Sequence, residues 1–135
     1  MKAQSSMEFV TIVAMATLLA SPFIIQSQDS LFETSQSSEL SRFQASLDDL
    51  KQEIERVDAM GEPARDTATI SVPSSIEKAR TVGNSVVYTR NVSGRASNFS
   101  RIVDAELNTA SLPMKKGEQQ VEVEAWKNQV NLSAR

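Results

Sequence analysis

The sequence predicts an α+β protein in which a long N-terminal hydrophobic helix continues into an amphipathic helix, packed on a small C-terminal antiparallel β-sheet or sandwich. Three observations lead to this fold class. The run from Phe9 to Ile25 carries no charge. Apolar residues then recur at helical spacing from Leu40 to Val57. Beyond Pro63, short alternating segments are separated by turn residues, which is the pattern of strands and hairpins.

The N-terminal apolar run is long enough to reach across a membrane. At about 1.5 Å per residue, it covers roughly 25 Å of a hydrocarbon core of about 30 Å, and Met7 with Glu8 at the border supplies the rest. Apolar residues surround this helix on every side: Phe9, Val10, Ile12, Val13, Met15, Leu18, Leu19, Phe23, Ile24 and Ile25. Such a helix belongs in lipid or in a large core. The rest of the chain is too small and polar to supply that core, so we predict a membrane or filament-core helix.

A secretory signal peptide is the alternative interpretation of the same run. Lys2 would be its basic region and Ala14-Met15-Ala16 its cleavage site, and cleavage there would release a secreted β domain. A single basic residue, together with an acid, Glu8, at the start of the apolar run, argues against this interpretation.

A polar stretch, 26–41, follows the apolar run. We expect the helix to continue out of the membrane and to fray here, because serine is a mediocre helix former. We also expect a kink at Pro22, since proline removes the backbone hydrogen bond to Leu18 and its ring clashes with that turn.

A single apolar stripe marks the next helical segment. Its members are three or four residues apart: Leu40, Phe43, Leu47, Leu50, Ile54 and Val57. The stripe is either a coiled-coil seam, for which it is short, or a face that docks on the chain's own β-sheet, which we favour. Gly61, with Pro63 two residues later, predicts the end of the helix.

Five short strands are predicted after the helix: 67–72, 85–90, 101–107, 119–126 and 129–133. Alternation places one set of residues inward: Ala68, Ile70, Val72, Val86, Tyr88, Val103, Ala105, Leu107, Val121, Val123, Ala125, Val130 and Leu132. The polar stretch 91–100 is typical of an exposed loop. A sheet this small has a marginal core without disulfides, and the helical stripe would supply the missing apolar partner.

Composition excludes several classes of function. The chain has 135 residues, a net charge of −3, no cysteine and no histidine. The mixed charge gives no electrostatic footprint for nucleic acid. Without cysteine or histidine, the chain lacks the commonest metal ligand, the commonest general base and any thiolate. We therefore predict that it is not an enzyme and that it binds no cofactor and no metal.

The N-terminal residues K-A-Q-S-S-M-E-F, followed by an apolar helix, resemble the class III signal peptide of archaeal type IV pilin-like proteins. In that family a membrane peptidase of the prepilin type removes a short basic leader before a Gln, and the new chain carries Glu at its fifth position. The resemblance places the cut between Ala3 and Gln4, which makes Glu8 the fifth residue. The residue before the cut is usually Gly, so Ala3 departs from the pattern.

The resemblance implies a structural subunit of a surface filament with roles in adhesion and surface assembly. Its partners would be the membrane, the prepilin-type peptidase and copies of itself in a homo-oligomer, with no nucleic acid. The N-terminus would lie on the cytoplasmic side. The chain divides into a leader at 1–3, a transmembrane or filament-core helix at 4–26, an amphipathic extension at 27–61 and an extracellular β-rich head at 64–135. The alternative is a monomeric membrane-anchored binding or accessory domain, similar to an archaellum stator protein.

Glu8 is the candidate assembly residue. A carboxylate at the membrane edge is costly unless it is paired, so such residues usually serve a function. In the related pilins the equivalent Glu is thought to meet the N-terminal amine of an adjacent subunit. Glu8 can also be satisfied within its own chain by free backbone N–H groups of the first helical turn, or it can simply mark the border between lipid and water.

The remaining candidate residues are ones predicted to lie on the surface, where they could be glycosylated or contact another subunit. Asn91, Asn98 and Asn131 each begin an Asn-X-Ser sequon and are candidate N-glycosylation sites if the domain is extracellular. The first two lie in the predicted loop, and Asn131 lies on the outward face of a strand. Trp126 is also placed outward, where it either covers a sheet edge or contacts another subunit.

Overall fold

The computed structural model describes residues 2–109 and 111–135; Met1, the first residue of the predicted leader, lies outside the described residues. The described chain forms one helix, α1 (Lys2–Met60). Seven strands follow within the same residues: β1 (Arg65–Val72), β2 (Ile76–Val82), β3 (Ser85–Val92), β4 (Arg95–Ile102), β5 (Glu106–Thr109), β6 (Gly117–Trp126) and β7 (Gln129–Ala134). The predicted α+β class is confirmed.

The chain divides into two compact units. The N-terminal unit is Met1–Ser38, and the C-terminal unit is Glu39–Arg135. In the described residues the N-terminal unit is helical throughout, so the fraying predicted for 26–41 is not found. Helical geometry is also kept on both sides of Pro22.

The helix ends where the sequence predicts. Gly61 has a φ of 70°, a left-handed conformation that glycine adopts without steric cost. Its N–H donates to the carbonyl oxygens of Val57 and Asp58, each at 3.1 Å. These bonds satisfy carbonyl groups that the end of a helix leaves without partners.

The strands of the C-terminal unit form two sheets. One has the order β1-β6-β7-β5 and the other the order β2-β3-β4. Neighbouring strands are antiparallel except for β5 and β7, which are parallel. The hydroxyl groups of Thr81 in β2 and Thr109 in β5 are hydrogen-bonded at 2.7 Å and join the two sheets. The prediction of an antiparallel sheet is therefore correct for every pair but one.

The apolar stripe of α1 packs against both sheets in one core. Leu40, the first residue of the predicted stripe, is half-buried, whereas Phe43, Leu47, Leu50, Ile54 and Val57 are each at most 1% exposed. They share a cluster with the inward residues predicted for the strands, all buried except Leu107, which is half-buried: Ala68, Ile70, Val72, Val86, Tyr88, Val103, Ala105, Leu107, Val121, Val123, Ala125, Val130 and Leu132. Docking on the chain's own strands is confirmed, and the coiled-coil alternative is wrong for this stripe.

Aromatic and hydroxyl contacts fix the helix on the strands. The ring of Phe43 meets the rings of Tyr88 and Phe99 edge-on, at centroid distances of 5.2 and 5.5 Å. The backbone N–H of Ser71 in β1 donates to the Oγ of Ser46 at 3.2 Å. Burial raises the pKa of the Tyr88 hydroxyl. These contacts place one helical turn between the two sheets.

The prediction of five strands is wrong because β2 and β4 were not identified. Residues 91–100, predicted to be a loop, are the end of β3, a turn and most of β4. Both missed strands are edges of the three-stranded sheet, and their outward residues are exposed. An edge strand is held by hydrogen bonds to its neighbour, so its sequence need not alternate between apolar and polar residues.

The predicted strand 101–107 is divided between two elements. Its first two residues end β4, and Glu106 begins β5. Val103 and Ala105 between them are buried as predicted, but the N–H of Val103 donates to the carbonyl oxygen of Asn84 at 2.9 Å instead of joining a ladder. The chain therefore crosses from one sheet to the other at this point.

Ion pairs also connect α1 to the β region. Arg101 of β4 donates through Nε to Asp48, and this hydrogen bond lowers the pKa of Asp48. Lys116 lies 3.1 Å from Glu39, and its hydrogen bond likewise lowers the pKa of Glu39. A carboxylate with a lowered pKa in the folded state stabilises that state above its unfolded pKa and loses the contribution on acidification.

Leu47→Ala in the fragment 39–135, which contains the buried core, should lower the free energy of unfolding by about 3 kcal/mol, because truncation leaves a cavity. Urea unfolding followed by circular dichroism measures this loss. Gln44→Ala, at an exposed helical position, should change the same quantity by less than about 0.5 kcal/mol. Equal losses in the two variants would contradict the docking of this stripe.

Asp48→Asn should destabilise the same fragment at neutral pH, and the gap from wild type should close as pH falls below about 4. The sign follows because a carboxylate whose pKa is lower in the folded state stabilises the fold at any pH above its unfolded pKa of about 3.9. This contribution to the free energy of unfolding is lost as the pH falls below that value. Thermal unfolding at pH 7 and pH 3 measures the gap. Asp49→Asn, at the adjacent exposed position, is the control. A gap for Asp48→Asn that stays constant with pH would show that the pair with Arg101 does not act as described.

Candidate membrane and assembly interface

The N-terminal unit exposes large apolar side chains around its helix. Met7 is 77% exposed, Leu18 75% and Phe23 72%. The most apolar 18-residue window has a mean hydropathy of 2.0, and none of it is buried within the chain. The helix is therefore long and apolar enough to anchor in a membrane. Apolar surface of this extent is unfavourable in water, at about 25 cal/mol per Å², so lipid or protein has to cover it.

The three hydroxyl side chains within the apolar run, 9–25, are satisfied by the backbone of the same helix. The hydroxyl groups of Thr11, Thr17 and Ser21 donate to the carbonyl oxygens four residues earlier, at 2.9, 2.8 and 2.9 Å. Transfer of a hydroxyl group from water to an apolar environment costs roughly 2–7 kcal/mol when the group has no hydrogen bond there, and much less when it is already hydrogen-bonded. The helix can therefore enter lipid or a helix bundle despite these residues. Sequence reasoning placed them in the apolar run but did not identify their acceptors.

The predicted cleavage and assembly residues lie in the first turns of α1. Ala3, Gln4 and Glu8 are helical and exposed. Within the described residues, Glu8 forms no ion pair, and it is the only acid between the N-terminus and Asp29.

All three sequons begin in strands, including Asn91 and Asn98, which were predicted to lie in a loop. Asn91 is in β3, where its Nδ2 donates to Glu77 at 3.0 Å, and Asn98 is in β4, where its Oδ1 accepts from Thr89 at 2.9 Å. In the register of these strands, Asn91 and Asn98 share the outward face of the three-stranded sheet. The loop prediction failed because polar residues on the outward face of a sheet resemble a loop in sequence.

Asn131 and Trp126 lie on the outward side of the four-stranded sheet, as predicted. Asn131 is half-buried in the inner strand β7, and its Oδ1 is buried without a hydrogen-bond partner in the described chain. Asn98 is therefore more accessible than Asn131. Trp126 is 46% exposed at the end of β6, and the Nζ of Lys127 lies 5.6 Å from its ring centroid, a cation–π contact.

A cleft of about 170 Å³ opens on the C-terminal unit, where α1, β1 and the segment before β6 meet. We call it the Arg42–Lys116 cleft after two residues on its rim. Its lining residues are Glu39, Arg42, Ser71, Val72, Pro73, Lys116, Gly117 and Glu118. They come from three separate segments of the chain, so sequence reasoning had no local signal with which to find the cleft.

The described residues contain no group of three or more Asp, Glu, His or Cys side chains that is placed to hold a metal ion. The candidate interface is thus made of apolar surface, isolated charges and clefts.

Comparison with protein-family models, curated proteins and solved structures finds no match to this chain. What the chain does must therefore be inferred from its own residues.

Proposed function

We propose that this chain is a pilin-like structural subunit of an archaeal type IV pilus-like surface filament. The observation that carries the proposal is an apolar helix with no buried residue in its most apolar window, continued by a helix that forms the core of a small β unit. A monomeric protein in water would leave that helix uncovered. A filament subunit covers it first with lipid and then with copies of itself.

Processing begins with the leader at 1–3. A prepilin-type peptidase cuts between Ala3 and Gln4, and the mature chain starts with a free α-amine at Gln4. The N-terminus lies on the cytoplasmic side of the membrane, and the β-rich head is extracellular. The sequence motif K-A-Q-S-S-M-E-F supports this step, and the exposed helical position of Ala3 and Gln4 is compatible with access by a membrane enzyme.

Assembly transfers the apolar helix from lipid into a bundle of like helices. Lipid tails are as apolar as leucine, so the transfer gains little from the hydrophobic effect and depends on packing and polar contacts. Glu8 supplies such a contact, because its carboxylate can meet the α-amine of Gln4 in an adjacent copy and both charges are then neutralised. A charge pair inside an apolar bundle also sets the register between copies, since a mismatched register leaves both charges unpaired.

A monomeric membrane-anchored accessory domain, similar to an archaellum stator protein, is the second candidate. The observation that favours it is that the C-terminal unit contains its own buried core and that lipid alone can cover the N-terminal helix. Electron microscopy of surface material sheared from cells separates the two candidates, because only the filament subunit yields polymers.

Mass spectrometry of the mature protein should find Gln4 as the first residue. The expected result follows from cleavage after Ala3. A chain that begins near Thr17 would support secretion by a signal peptidase instead. An intact Met1 would weaken the filament proposal.

Glu8→Ala should reduce the yield of filaments by about tenfold or more while the chain still inserts in the membrane, since loss of one partner leaves a desolvated charge unpaired. Electron microscopy and membrane fractionation measure the two effects. Glu62→Ala, which removes an exposed acid outside the apolar run, is the control and should assemble normally. Normal filaments from Glu8→Ala would show that Glu8 has no part in assembly.

A further inference from the structure

The inner face of the three-stranded sheet, which meets α1, continues past the apolar core at the end where β3 turns into β4. We propose that this end is an anion-binding site, in which Arg90, Arg95 and Ser97 hold a phosphate or sulfate group from outside the chain. The site lies wholly within the C-terminal unit. It therefore does not depend on the proposed assembly of the N-terminal helix.

Arg90 is a buried charge without a counter-ion in the part of the chain that the structure describes. Its side chain belongs to a residue that is 6% exposed. Its Nε donates to the carbonyl oxygen of Ser74 at 3.0 Å, and this is the one hydrogen bond that the guanidinium forms within the described residues. None of the ion pairs between described residues includes Arg90. Since a guanidinium has five N–H donors, most of them remain unused.

The acid that is connected to Arg90 through Ser74 is already neutralised. The hydroxyl group of Ser74 donates to Oε2 of Glu39 at 3.4 Å, and Oε1 of the same carboxylate lies 3.1 Å from the Nζ of Lys116. Removing a charge from water is unfavourable unless an opposite charge and hydrogen bonds replace its hydration. The unused N–H groups of Arg90 therefore favour an anion from outside the chain.

Arg95 and Ser97 lie beside Arg90 on the same face of the sheet. In the register of β3 and β4, Arg90 is directly opposite Ser97, and Val92 is directly opposite Arg95. Residues directly opposite each other have Cβ atoms about 5 Å apart. A diagonal pair such as Arg90 and Arg95 is about 7–8 Å apart, which long side chains can span. Two guanidinium groups and one hydroxyl group can thus meet the same small ligand.

A ligand can reach these donors from the edge of the sheet. Arg95 and Ser97 are exposed in the edge strand β4, since the apolar core ends before them. Among the described side chains, the polar atoms that are fully buried without a partner are the hydroxyl oxygen of Tyr88 and Oδ1 of Asn131. The terminal nitrogens of Arg90 are not among these atoms, so they keep some access to solvent. Binding therefore requires no rearrangement of the core.

A phosphate or sulfate group fits this arrangement better than a carboxylate. A phosphate monoester carries a charge of about −1.5 to −2 at neutral pH and so offsets two arginines. The terminal nitrogens of Arg90 form a planar fork that matches two oxygens of such a group, because Ser74 occupies only Nε. Arg95 and the hydroxyl group of Ser97 supply donors for the remaining oxygens.

Thermal unfolding of the full-length protein in dodecyl maltoside micelles, followed by circular dichroism, tests the site. Sodium phosphate at about ten times its Kd, measured by calorimetry, should raise the unfolding midpoint of the C-terminal unit by about 3–6 °C, because a ligand that binds the folded state stabilises it by mass action. Sodium sulfate should act similarly. Sodium chloride at the same ionic strength should produce no such shift.

Variants at exposed positions locate the binding. Arg95→Ala should weaken phosphate binding about five- to tenfold, since charge-assisted hydrogen bonds are lost. Arg80→Ala is the matched control, because Arg80 is an exposed arginine on the opposite face of the same sheet, and it should bind as wild type does. Equal losses from the two variants would mean that phosphate responds only to surface charge, which would overturn the site.

Arg90→Met separates binding from packing. Without phosphate or sulfate, its unfolding midpoint should equal or exceed that of wild type, because replacement of a buried charge by an apolar side chain of similar size is often neutral or stabilising. The shift on addition of phosphate should be lost. A midpoint that falls without phosphate, together with an unchanged phosphate shift, would make Arg90 a structural residue and contradict the proposal.

The same titration identifies the source of the anion. Dextran sulfate that binds at least tenfold more tightly per sulfate group than the free ion would assign the site to an anionic polymer, whereas equal binding would assign it to the free ion. A wild-type protein that responds to none of phosphate, sulfate and dextran sulfate would overturn the inference. Filament formation is measured separately by electron microscopy, so the anion site and the filament proposal can fail independently.

Discussion

The structure depends on one helix that presents two different apolar surfaces in succession. Its first part is apolar on every side and has no buried residue in its most apolar window, whereas the stripe from Phe43 to Val57 is one-sided and at most 1% exposed. Burial of apolar area is favourable wherever it occurs, at about 25 cal/mol per Å². The first surface therefore needs a cover from outside the chain, and the second is covered by the chain's own strands.

The one-sided stripe explains how such a small β region becomes a stable unit. Neither a four-stranded nor a three-stranded sheet of this length buries much apolar surface alone. The helix lies between both sheets and contributes Phe43, Leu47, Leu50, Ile54 and Val57 to the shared core. Ser46 and Asp48 on the same helical turns bond to β1 and β4. The helix that carries the exposed apolar run is thus also the centre of the β unit.

Burial of apolar area does not by itself select one arrangement of packed surfaces, so polar groups decide which arrangement forms. Hydroxyl groups in the apolar run bond to their own backbone, so they direct no partner. Glu8 differs, because within the described residues it forms no ion pair. In an apolar bundle the hydrophobic effect does not distinguish one register from another. A charge that must be paired does distinguish one arrangement of packed helices from another.

The sequence by itself determined the helix, its two apolar patterns, its end at Gly61 and the inward residues of β1, β3, β6 and β7. These features are local, because spacing along the chain fixes which side chains share a face. Only the tertiary structure decided that β2 and β4 are strands, that Asn91 and Asn98 share a sheet face, that β5 runs parallel to β7 and that the cleft exists. Edge strands are held by hydrogen bonds to distant segments, and a cleft forms where separate segments meet, so neither leaves a periodic signal in the sequence.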